Sequence, residues 1–150
     1  REESAAVRAA AARAAGAFGE AGVASSLTDA LLVSHAGLRR SAESALLSIC
    51  TRTDGVAVAR GLYAVASGET RVDPAIRDAA LRILGATKQR DARGVLIEVS
   101  ADADAATALA AAVGLARDGS REAAQALDAW AEAHPEAVDT LRRIVPPTPD

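Results

Sequence analysis

The chain reads as all-α, and three observations predict this. Of its 150 residues, 40 are Ala, the strongest helix former. Phe18, Tyr63 and Trp130 are the only aromatics, whereas a sandwich or barrel wants strands rich in β-branched and aromatic residues. The third is the stretch Asp73 to Gly85, DPAIRDAALRILG, which writes out a helix together with its start. Asp73 can accept from the free N–H groups of a first turn. Pro74 then falls at the first helical position, where its missing N–H costs nothing. Ile76, Ala79, Ala80, Ile83 and Leu84 share one face at helical spacing, and Arg77, Asp78 and Arg82 lie on the other.

The remaining helices follow from the same periodicity. Glu2 to Phe18 carries a stripe of Val7, Ala11, Ala14, Ala15 and Phe18, with Arg8 and Arg13 facing away and Gly19 or Gly22 as its end. Ser26 to Asp29 has capping-box spacing and opens a second helix, inward at Leu27, Ala30, Leu31 and, one turn on, Ser34, and closed by His35-Ala36-Gly37. A third runs from Leu38 to Cys50, inward at Leu38, Ala42, Ala45, Leu46 and Ile49. Val56 to Ala66 is the fourth, with Val58, Leu62, Tyr63 and Val65 or Ala66 inside; Ser67 to Thr70 turns the chain. The helix 74–86 is fifth. The sixth spans about Asp91 to Ser100, with Val95, Leu96 and Val99 inside. The seventh covers about 104–117, inward at Ala105, Ala108, Leu109, Ala112 and Val113. Gly119-Ser120 punctuates, with Ser120 as a cap. The eighth, 121–133, buries Ala123, Ala124, Leu127, Trp130 and Ala131. Pro135 opens a short ninth helix carrying Val138, Leu141 and Ile144 or Val145. Residues 1–145 thus form one domain, and Pro146, Pro147 and Pro149 make 146–150 an extended tail.

The lettering recurs. Val7-Arg8, Leu38-Arg39 and Ile76-Arg77 open three similar runs, with Ala11, Ala42 and Ala80 four residues on and Ala15, Leu46 and Leu84 eight residues on. Gly16 and Gly85 come next in two of the three. Ala105, Leu109, Val113 and Gly114 form a degenerate fourth copy. The starts lie 31, 38 and 29 residues apart, so a unit of roughly 30 to 40 residues is implied, the period of two-helix solenoids. One helix pair cannot bury its apolar face alone, so neighbours must stack.

Asp73, Pro74, Ile76, Arg77, Ala80, Leu84 and Gly85 resemble the second helix of a HEAT repeat, including the HEAT-like units of bacterial proteins related to phycobilisome lyases. The resemblance covers most of the chain at repeat level and is strong in that one copy. It implies an armadillo-like, right-handed α-solenoid of stacked antiparallel helix pairs. It also implies a ladder between the repeat Arg and loop Asp residues, which only Asp73 and Arg77 plainly offer.

Charge is unevenly spread. Residues 1–97 balance at +3 and residues 98–150 at −6, which argues against a general nucleic-acid binder with a broad basic surface. The longest run without charge or Pro, Ala105 to Ala116, has 12 residues, against the roughly 20 that span a bilayer. Cys50 is the only cysteine, so no intramolecular disulfide forms, which fits a reducing, cytoplasmic setting. A start at Arg1 with no Met in the sequence suggests a fragment of a longer protein.

No chemistry stands out. His35 and His134 are 99 residues apart with no ligand cluster, and a zinc site wants four ligands. His35 reads as a helix-end residue and His134 as a turn residue. Cys50 reads as a small hydrophobe. Asp102 with Asp104, and Glu132 with Glu136, read as capping and solvated residues, with no Gly-centred calcium loop. Trp130 sits on an apolar stripe and reads as core. No cofactor, metal or catalytic residue is expected. One constellation remains: Arg8, Arg13, Arg39, Arg40, Arg77 and Arg82 fall on the outer faces of the second-helix register. They form either a basic ridge for an acidic protein partner or ordinary surface charge.

The function expected is a non-enzymatic protein-interaction module or scaffold. The alternatives are a HEAT-like enzyme, of the bilin-lyase or alkylpurine DNA glycosylase kind, and a structural spacer in a longer solenoid. Glycosylases of that kind need a basic groove with aromatic and acidic residues, which three aromatics and an acidic second half do not supply.

Overall fold

The computed structural model describes residues 28, 31–32, 36–52 and 55–147. The expectations for Glu2 to Phe18, for Leu27, Ala30, Ser34 and His35, for Arg8 and Arg13, and for Pro149 lie outside these residues, as does the Leu38 side chain. Within them are seven α-helices and no strand: α1 Ala36–Arg52, α2 Val56–Ser67, α3 Pro74–Leu84, α4 Arg90–Val99, α5 Ala105–Asp118, α6 Arg121–Ala133 and α7 Val138–Ile144. Short 3-10 turns follow α3 at Gly85–Thr87 and precede α7 at Pro135–Ala137.

Local chemistry sets these limits. Asp73 accepts from the Ala75 N–H at 2.9 Å, with Pro74 in the first turn of α3. Asp104 accepts from the Ala106 N–H at 3.0 Å to start α5, and Ser120 from the Ala123 N–H at 3.2 Å to start α6. Gly119, at φ +70, ends α5 in the left-handed region that glycine enters without steric cost. Lys88 is the one non-glycine with positive φ among the described residues, at +55. Its ammonium donates to the carbonyls of Arg117 and Asp118, at 3.1 and 2.9 Å. A cation there meets the negative end of α5, which offsets the cost of the left-handed backbone.

The helices pack in an alternating pattern. α1 lies against α3, α3 against α5, and α5 against α7; α2 lies against α4, and α4 against α6. Consecutive helices join the two sets, with α2 on α3, α4 on α5 and α5 on α6. α3 therefore has neighbours on several sides, and Leu81, Ile83 and Leu84 are all fully buried. α5 is enclosed more completely still, burying Ala108, Ala110, Ala111, Ala112, Val113 and Leu115.

Two helices cross at a glycine contact. A Cβ placed on Gly85 would stand 1.7 Å from the Gly114 carbonyl oxygen, and one on Gly114 would stand 2.5 Å from the Leu81 carbonyl. Backbone meets backbone here, and any side chain would part α3 from α5.

Some expectations change. Tyr63 is exposed, not inward: it stands one position past Leu62, about 100° round from the stripe of Val58, Leu62 and Val65. Ala105 and Ala124 are exposed; Ala124 stands one position past the fully buried Ala123, about 100° round the helix. Ile144 is exposed, while Leu141 is buried. Ala36 and Gly37 begin α1 and do not close the preceding helix.

Candidate functional site

A groove of about 330 Å³ runs between α1 and α3. α1 contributes Arg39 and Arg40, each about one turn before Glu43. α3 contributes Asp78 and Arg82, also one turn apart, over the small side chains of Ala75 and Ala79. The two alanines keep the floor low, and the charged residues form the walls.

The charges are not equivalent. Arg82 donates from Nε and Nη2 to the two carboxylate oxygens of Glu43, at 3.0 and 2.9 Å. Such a two-pronged pair is stronger than a single contact. Burial pulls the Arg82 guanidinium down, but the bonds to Glu43 outweigh this and hold it above its ordinary value. Arg117, from α5, donates to the Arg82 carbonyl at 2.9 Å and comes within 3.9 Å of Glu43. Burial lowers the Arg117 guanidinium, though the nearby Glu43 resists. Glu43 therefore ties α1 to both α3 and α5.

Asp78 has less support. It is half-buried, and the Thr107 hydroxyl donates to its Oδ1 at 3.2 Å. Burial raises its carboxyl above the usual range, against the opposing pull of Thr107, Arg82 and Arg77. Arg40 is exposed and enters no hydrogen bond or ion pair among the described residues. Of the six arginines picked out in the sequence, the groove thus gathers Arg39, Arg40 and Arg82, while Arg82 is committed to Glu43. Arg77 goes elsewhere. Its Nε donates to the Ala66 carbonyl at 3.1 Å, at the end of α2, in a separate recess of about 270 Å³. The expected Asp73–Arg77 rung is not among the ion pairs of the described residues, because Asp73 caps its own helix and Arg77 caps α2.

Sequence reasoning missed a second ion pair. Arg93 on α4 donates to both oxygens of Asp118, at 2.8 and 3.3 Å, and the Asp118 side chain is only 1% exposed. Burial works to raise the Asp118 carboxyl, but the bonds from Arg93 and Ser120 outweigh it and hold the group below its ordinary range. These partners stand 25 residues apart in the sequence, so no local spacing marks them.

The other candidates have structural roles. Burial pushes the Cys50 thiol up to about 11, so it is a neutral and weak nucleophile near neutral pH. Trp130 is 3% exposed in the core, and His134 stacks on it with ring centroids 5.5 Å apart. Asp102 accepts from the Asp104 N–H at 2.8 Å, and both serve the turn into α5. Glu132 and Glu136 are exposed. Among the described residues, no group of three or more His, Cys, Asp or Glu is placed to hold a metal ion. No helix there is long and apolar enough to cross a membrane. Compared with known proteins, the chain matches no family model and has no significant match among curated sequences.

Proposed function

We propose that the chain is a non-enzymatic protein-interaction module of the HEAT-like solenoid kind, whose binding surface includes the α1–α3 groove. One observation carries this reading. The helices that hold the recurring sequence runs, α1 from Leu38, α3 from Ile76 and α5 from Ala105, lie side by side in that order, while α2, α4 and α6 follow one another alongside. Stacked units of this type offer an extended surface and no inherent catalytic cleft. The groove adds an exposed Arg40 to that surface. It suits a partner that supplies carboxylates.

The test is capture of partners by the immobilised protein at low salt, followed by titration of the captured partner against the parent and an Arg40→Glu variant. Affinity should fall about tenfold in the variant, mostly through the association rate, and the difference should shrink at high salt. No retained partner would leave the chain as a spacer. Equal affinity at low salt would remove Arg40 from the binding surface.

A further inference from the structure

The groove between α1 and α3 holds charge of both signs, and the two signs are unequally satisfied. Glu43 uses both of its oxygens on Arg82 and has Arg117 within 3.9 Å, so its charge is met inside the fold. What remains is Arg40 on one wall, exposed and without an ion pair among the described residues, and Asp78 on the other. The Oδ2 of Asp78 accepts no hydrogen bond among the described residues; its Oδ1 has the Thr107 hydroxyl alone. A half-buried carboxylate with free acceptor capacity favours a donor brought by a ligand.

Building on the interaction-module reading, we propose that this groove recognises an extended partner segment bearing both signs of charge: a carboxylate on Arg40 and an ammonium or guanidinium on Asp78. Packed helices lie about 8–10 Å apart, and an extended chain advances about 3.3 Å per residue. The two partner charges therefore fall roughly three residues apart. Discrimination comes from both walls. A wholly acidic segment sets a carboxylate against Asp78, and a wholly basic one sets a cation against Arg40. Each mismatch places like charges together in the groove.

Two short fluorescent peptides test this by anisotropy titration at low salt. One carries Glu and Lys three residues apart in a Gly/Ser background, and the other has each Lys replaced by Glu. The parent protein should prefer the mixed peptide by roughly tenfold, the size of one well-placed charge pair. Asp78→Asn, which keeps an acceptor for Thr107, should bring the two affinities within about twofold of each other. Arg40→Glu should weaken the mixed peptide without changing the melting temperature. A third peptide with Gln in place of Lys gives the same comparison on the parent protein alone, should a variant fail to fold. Equal affinity for the three peptides on the parent, or a preference that survives Asp78→Asn, overturns the proposal. Acidic-peptide binding that depends on Arg40 but not on Asp78 overturns this inference and leaves the module reading standing. If no peptide binds and no partner is captured, both fall.

Discussion

α5 and α1 flank α3, and the two contacts are built differently. Between α3 and α5, Gly85 faces Gly114 and backbone touches backbone. Between α1 and α3, alanines floor an open groove of about 330 Å³ walled by charge. The repeat lettering differs between the two sides. Counting nine residues from the start of each run reaches Gly85 just past the end of α3 and Gly114 in α5, but Leu47 in α1. Two glycines allow helices to meet at a distance that any Cβ forbids. The closed contact serves stability. The open one leaves ionisable groups within reach of a partner.

The largest expected effect tests the closed contact. Gly85→Ala puts a methyl against a backbone carbonyl that has no rotamer to move away, so the helices must separate. Destabilisation should exceed about 3 kcal/mol, beyond the usual overpacking range, measured by urea unfolding. A cost below about 1 kcal/mol would mean that the crossing is loose and that the contrast with the α1–α3 groove is false. Leu84→Ala, in the same dry region, should cost about 2–5 kcal/mol.

The second effect concerns the two ion pairs. Arg93–Asp118 is sealed, with side-chain exposures of 16% and 1%; Arg82–Glu43 borders the groove, at 31% and 16%. Removing Arg93 strands a buried carboxylate, so Arg93→Ala should cost about 3 kcal/mol, the low end for a broken buried pair because Ser120 still bonds to Asp118. Arg82→Ala should cost less, because water reaches Glu43 and Arg117 remains near it. Equal losses would erase the distinction between a sealed and an open pair.

pH separates the two aspartates by sign. Asp118 is held below its ordinary value in the folded state. Its contribution is therefore present above the unfolded value of about 4 and is lost as pH falls through the lower folded value. The stability gap between the parent and Arg93→Ala should narrow as pH falls below about 4. Asp78 is raised. Its contribution is present below about 4 and lost as pH rises through the folded value. The parent should therefore lose ground to Asp78→Asn as pH rises across that window. Parallel pH curves for parent and variants would sink both assignments.

The smallest effect has the opposite direction. Gly94 lies in the interior of α4, exposed, and a Cβ there meets nothing within 4 Å. Gly94→Ala should stabilise the chain by about 0.5–1 kcal/mol, the helix-propensity difference. A loss of stability would show that this glycine, like Gly85, answers to a contact.

The amino-acid pattern alone determined the helices that the structure describes, to within a residue or two at most ends. Periodicity and caps are local: Asp73, Asp104 and Ser120 act on N–H groups two or three residues away. The buried stripe was equally legible in Ala42, Leu46, Ile49, Ile76, Leu84 and Leu96, because a stripe needs only the helical repeat. The candidate site was legible in part. Arg39, Arg40 and Arg82 could be placed on outward faces, but not the partners that divide them. Tertiary structure decided that Glu43 would take Arg82 across 39 residues, that Asp78 would meet Thr107, and that Arg77 would turn to Ala66. It also decided that Leu81 would be buried, because a helix with neighbours on several sides has no solvent face there. The physical reason is range. A helix is specified by neighbours three and four residues away, whereas an ion pair between helices depends on how closely their backbones approach, and that distance is set by which residue stands at the crossing.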